Sequence, residues 1–112
     1  MKNIFLAAVA VLVLAAAPMV YAASASYEVV CAKCYVTKGA HGEGHAACAV
    51  KCVTGGGALA LLRDKKLYIP VDEDFNSLRD QFKPEVGKTV SVDGKVESKG
   101  GVNYLVVETP KK

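Results

Sequence analysis

The spacing of hydrophobic positions changes several times along this chain, and glycines rather than long linkers mark the changes. Residues 27–36 (YEVVCAKCYV) are rich in β-branched and aromatic side chains and predict a strand ending at Lys38-Gly39. Residues 44–54 (GHAACAVKCVT) are rich in alanine and stop at Gly55-Gly56-Gly57, the profile of a short helix. ALALLR at 58–63 and LYIPV at 67–71 flank Asp64-Lys65-Lys66 and predict a hairpin. Over 74–83 (DFNSLRDQFK), helical spacing puts Phe75, Leu78 and Phe82 on one face, with Asp74 near the start and Pro84 and Gly87 behind. KTVSVDGKVES, KGG and VNYLVVETP then alternate apolar and polar residues about a glycine turn, which predicts a second, half-buried antiparallel hairpin. Five short strands and a helix before the last hairpin imply a mainly β chain: a small five-stranded Greek-key (OB-like) barrel with one or two short helices.

The N-terminal segment changes this picture. Lys2 precedes an apolar run from Ile4 to Ala17, followed by Pro18 and small residues at Ala22 and Ala23. This is the pattern of a secretory signal peptide over 1–22, with cleavage after Ala22, or alternatively after Ala25. The run has 14 residues, short of the roughly 20 that cross a bilayer, so no membrane anchor is expected after cleavage. The expected product is an exported protein, periplasmic or extracellular, with residues 23–112 forming one OB-like domain. Those 90 residues are about 43% apolar, a small core of the kind often supplemented by a metal or by disulfides. Their net charge of +2 is mild and scattered, which argues against nucleic acid as a partner.

All four cysteines and both histidines lie between residues 31 and 52: Cys31-x2-Cys34, His41, and His45-x2-Cys48-x3-Cys52. At about 100° per residue, a helix holds Cys48 about 60° and Cys52 about 20° from His45, so three donors point to one side. Cys34, separated from His45 by a ten-residue gap with three glycines, supplies a fourth and completes a Cys3His set. Cys31 would face away from Cys34 on a regular strand and joins only if a bulge or turn intervenes. His41, in the glycine loop, could serve as a fifth or exchangeable donor. Cys34, His45, Cys48 and Cys52 are therefore the expected metal ligands, with Cys31 and His41 as the additional candidates. Three thiolates and an imidazole suit Zn(II) first and Cu(I) second.

Cys34-Tyr35, the loop from Gly39 to Gly44, His45, Cys48-Ala49 and Cys52 together resemble a pattern found in a group of small exported bacterial proteins with an OB-like barrel. The similarity continues through Leu67-Tyr68 and Gly87-Lys88 and spans most of residues 27–108. It implies the barrel and a metal site rather than a reaction. Cys31 and His41 are additional to the pattern, and Gly56-Gly57 stands where proline is more usual.

An exported location also allows a disulfide framework. Cys48 and Cys52 are poorly placed to bond to each other on one helical turn, so strand cysteines would pair with helix cysteines, stapling a binding or adaptor barrel that holds no metal and recognises a protein partner. An enzyme, either a thiol oxidoreductase or a metal-dependent hydrolase, is a third reading, with His41 as its one evident base. Haem attachment is excluded because Tyr35 follows Cys34 where histidine is needed. A thioredoxin-like pair is disfavoured if Cys31 and Cys34 both lie in a strand. Tyr35, Tyr68 and Tyr104 suggest packing more than base stacking, and Asp72-Glu73-Asp74 a solvated helix entry more than a calcium loop.

Overall fold

The computed structural model describes residues 23–108, and the expected signal peptide at 1–22 lies outside them. Strand β1 (Ala23–Cys31) leads directly into helix α1 (Ala32–Lys38). A 3-10 turn (Glu43–His45) then enters helix α2 (Ala46–Thr54). The hairpin β2 (Leu59–Arg63) and β3 (Lys66–Val71) follows, then helix α3 (Arg79–Phe82) with a 3-10 turn at Lys83–Glu85. The second hairpin is β4 (Thr89–Lys99) and β5 (Val102–Val107). Among the described residues no helix is long and apolar enough to cross a membrane.

The strands pair in the closed order β1-β2-β3-β5-β4, with β4 returning to β1. Every pairing is antiparallel except β3 with β5, which run parallel from Ile69↔Tyr104 to Val71↔Val106. Side chains alternate along each strand, so Tyr27, Val29 and Cys31 of β1 face the interior with Leu59 and Leu61 of β2 and Leu105 and Val107 of β5. Ala49 and Val53 of α2, with Phe82 and Val86, complete this core. On the other face of the sheet, Val30, Ala60 and Leu62 form a smaller cluster with Tyr35 and Leu67 against it.

Two contacts fix where α2 sits. Gly87 has φ 91°, and a Cβ there would come within 2.6 Å of Ala46 Cβ, so the start of α2 lies directly on the entry to β4. At the other end, Arg79 Nη2 donates to the carbonyls of Val53 (2.6 Å) and Gly57 (2.8 Å). A cation on the last carbonyls of a helix satisfies groups left without intrahelical partners and offsets the negative end of its dipole.

Both hairpins form as expected. Asp64 (φ 51°) and Lys65 (φ 65°) make the first turn, and Gly100 (φ 63°) and Gly101 (φ 85°) the second. Two other expectations are corrected. The strand over 27–36 ends at Cys31, and residues 32–38 are helical, so there are three short α-helices rather than one or two. The ladder closes with Ala32 N–H on Ala58 O at 2.9 Å, and Gly39, at φ 69°, ends α1 in the left-handed conformation. The helix expected over 74–83 begins only at Arg79. Asp72 Oδ1 accepts the N–H groups of Asp74 (2.9 Å) and Asn76 (2.8 Å), which folds the acidic triplet into a turn instead of a helix entry. Phe75, at φ 62°, is half exposed and packs edge-on against Tyr104 rather than sharing a helical face with Phe82.

Candidate metal centre

Four elements, β1, α1, the 3-10 turn and α2, bring the cluster together beside the core onto which α2 packs. Cys31 is the last inward-facing residue of β1 and is 1% exposed. It also occupies the position immediately before α1, and the change from strand to helix brings Cys34, one turn later, back to the same side. His45 ends the 3-10 turn before α2, and Cys48 and Cys52 lie one turn apart along that helix. Ridge spacing on α2 thus carries both thiols, while Ala49 and Val53 anchor the helix in the core.

The donors fall into two overlapping sets. Cys31, Cys34 and Cys52 bring their sulfurs within 4.8 Å of one another, and Cys34, His45 and Cys48 do the same with two sulfurs and a ring nitrogen. Cys34 belongs to both. The four expected ligands are therefore divided: Cys34, His45 and Cys48 meet, while Cys52 meets Cys34 in company with Cys31. The reason for setting Cys31 aside does not hold, because a turn intervenes between it and Cys34. The same turn removes the objection that Cys31 and Cys34 share a strand.

His41 joins neither set. Its Nδ1 lies 2.8 Å from Glu28 Oε1, its ring packs edge-on against Tyr35, and Glu28 Oε2 accepts the Gly42 N–H. Glu28 and His41 thereby tie the glycine loop to β1. Tyr68 packs edge-on against Tyr27 and Tyr104 against Phe75, so the tyrosines are engaged with protein rings.

All four cysteines are free, and the Cys31 and Cys52 sulfurs are in hydrogen-bonding contact at 3.0 Å. Burial opposes ionisation of Cys31, but hydrogen bonds to its sulfur from Cys52 and Cys34 outweigh this and lower its pKa. Cys34 is pushed up to about 11, first by its hydrogen bond to Cys31, then by burial and the neighbouring thiolates. Cys52 is raised by its own bond to Cys31 and by burial. Cys31 therefore ionises before Cys34 and Cys52, and these neighbours stabilise it by donating.

His45 Nε2 is buried and has no hydrogen-bond partner among the described residues. An unsatisfied buried polar atom costs about 1–3 kcal/mol, and a metal ion beside it would remove that cost. Gly57 closes the other side, where a Cβ would lie 2.8 Å from both Cys52 Sγ and Cys52 O. Sequence reasoning missed Gly57 and Arg79. The triple glycine at 55–57 was the one signal for the first, and Arg79, on a short polar segment, carried no signal. No protein-family model, curated protein or solved structure matches this chain.

Proposed function

We propose that this protein binds a transition metal through its cysteine and histidine cluster, as a small exported, OB-like barrel with no enzymatic role. The observation that carries the reading is His45, which brings a ring nitrogen into a set with Cys34 and Cys48 whose donor atoms lie within 4.8 Å of one another, and whose Nε2 is buried without a hydrogen-bond partner. Thiolate and imidazole donors select borderline and soft ions, which makes Zn(II) and Cu(I) the two candidates. A trio of donors suits Cu(I) directly and leaves Zn(II) one coordination position to fill. The strand order β1-β2-β3-β5-β4, closed through β1 and β4, supports the OB-like assignment. Export rests on the apolar run from Ile4 to Ala17, and the resemblance to small exported barrel proteins rests on Cys34-Tyr35 and His45-x2-Cys48-Ala49-x2-Cys52.

The test is to purify the chain from its native compartment, measure bound metal by elemental analysis, and titrate free thiols after denaturation. Bound metal whose amount falls in His45→Ala is the expected result. No metal together with no titratable thiols contradicts it and favours the second reading, a disulfide-stapled adaptor barrel. The neighbouring Cys31 and Cys52 sulfurs are the observation that favours that alternative.

A further inference from the structure

We infer that the cluster holds two Cu(I) ions bridged by the Cys34 thiolate, an inference that rests on the metal-binding reading above. Metal–sulfur bonds of about 2.3 Å place any two donors to one ion no more than about 4.6 Å apart. Each trio has nearly that spacing, but among the described residues no group of four donors does. One ion therefore cannot gather all five side chains in this arrangement. Two ions can, if they share the single residue common to both trios. A thiolate sulfur, with one bond to carbon, has lone pairs enough to bind two metals at once.

The two positions differ in surroundings as well as in ligands. Cys31, Cys34 and Cys52 make an all-sulfur site at the edge of the core, where Cys31 is 1% exposed and Gly57 packs against Cys52. Cys34, His45 and Cys48 make a mixed site whose Cys48 is exposed to solvent. Cu(I) favours thiolates and low coordination number, so three donors complete its shell in each position. Zn(II) would need a fourth ligand in both. The extra Cys31, outside the pattern shared with the resembling proteins, is the residue that creates the inner position.

The test loads the reduced full chain with Cu(I) under anaerobic conditions, in the presence of a competing Cu(I) chelator, and counts ions by native mass spectrometry. Wild type is expected to retain two ions, His45→Ala one, Cys31→Ser one, and Cys34→Ser none. Cys31 is part of the core, so Cys52→Ser, at a half-buried position in the same trio, provides the equivalent count should Cys31→Ser fail to fold. A wild-type count of one overturns the bridged pair but leaves metal binding standing. A count of zero overturns both. Cys34→Ser retaining one ion, as the single-site variants do, also overturns the bridge.

Discussion

Replacing Arg79 with methionine tests the link between the fold and the cysteine cluster, because Arg79 holds the chain just after Cys52, at Val53 and Gly57. Its guanidinium donates to Val53 O at 2.6 Å and Gly57 O at 2.8 Å, and its side chain is 31% exposed. A hydrogen bond to a charged group contributes about 1.5–3 kcal/mol. Two such bonds, reduced by partial solvent access to the freed carbonyls, give an expected loss of about 2–4 kcal/mol. Methionine keeps much of the apolar stem, so the loss reports the bonds rather than the packing. For a domain of this size, 1 kcal/mol shifts Tm by about 4–8 °C, so a fall of at least about 8 °C is expected in the metal-free protein. Urea unfolding should show a lower midpoint with an unchanged slope. Arg79→Lys, whose ammonium can reach one carbonyl more readily than two, should recover about half of the loss. A change under about 0.5 kcal/mol would refute the argument that Arg79 fixes the end of α2.

Three further outcomes follow from the same geometry. Gly57→Ala should cost about 1–3 kcal/mol through overpacking and speed the reaction of Cys52 with thiol reagents, because the new Cβ would lie 2.8 Å from Cys52 Sγ; unchanged reactivity would contradict this. Glu28→Ala should release the loop at 39–44, read as faster amide exchange at Gly42 while exchange at Leu61 and Leu105 is unaffected. The Asp72 pKa is lowered, chiefly by the Asn76 backbone N–H and also by that of Asp74. The contribution of Asp72 to stability is therefore complete above its unfolded pKa of about 3.9 and is lost as pH falls through the lower folded value. The gap in urea midpoint between wild type and Asp72→Ala should close below about pH 4; a gap constant from pH 7 to pH 2 would contradict the assignment.

Both hairpins were legible in the sequence because alternation and turn residues act locally. So was α2, whose alanines and terminal glycines are consistent signals. The segment 32–38 was not legible, since Tyr35 and Val36 have strand propensity while the helix is favoured by Gly39 in the left-handed conformation and by Tyr35 packing against the outer cluster. This misreading decided the site: Cys31 could join Cys34 only once the strand was known to end between them. The segment 74–83 failed for a related reason, because Asp72 competes for the backbone donors that a helix would otherwise use. The gathering of cysteines and histidines in one window was plain from composition. Their division into two trios depends on tertiary placement and had no sequence signal.

The central claim is that these side chains hold a metal, and X-ray absorption at the edge of the ion bound to the reduced chain tests it most directly. The account predicts a first shell dominated by sulfur, with an imidazole contribution that disappears in His45→Ala. A shell of oxygen and nitrogen alone, unchanged by that substitution, would contradict it.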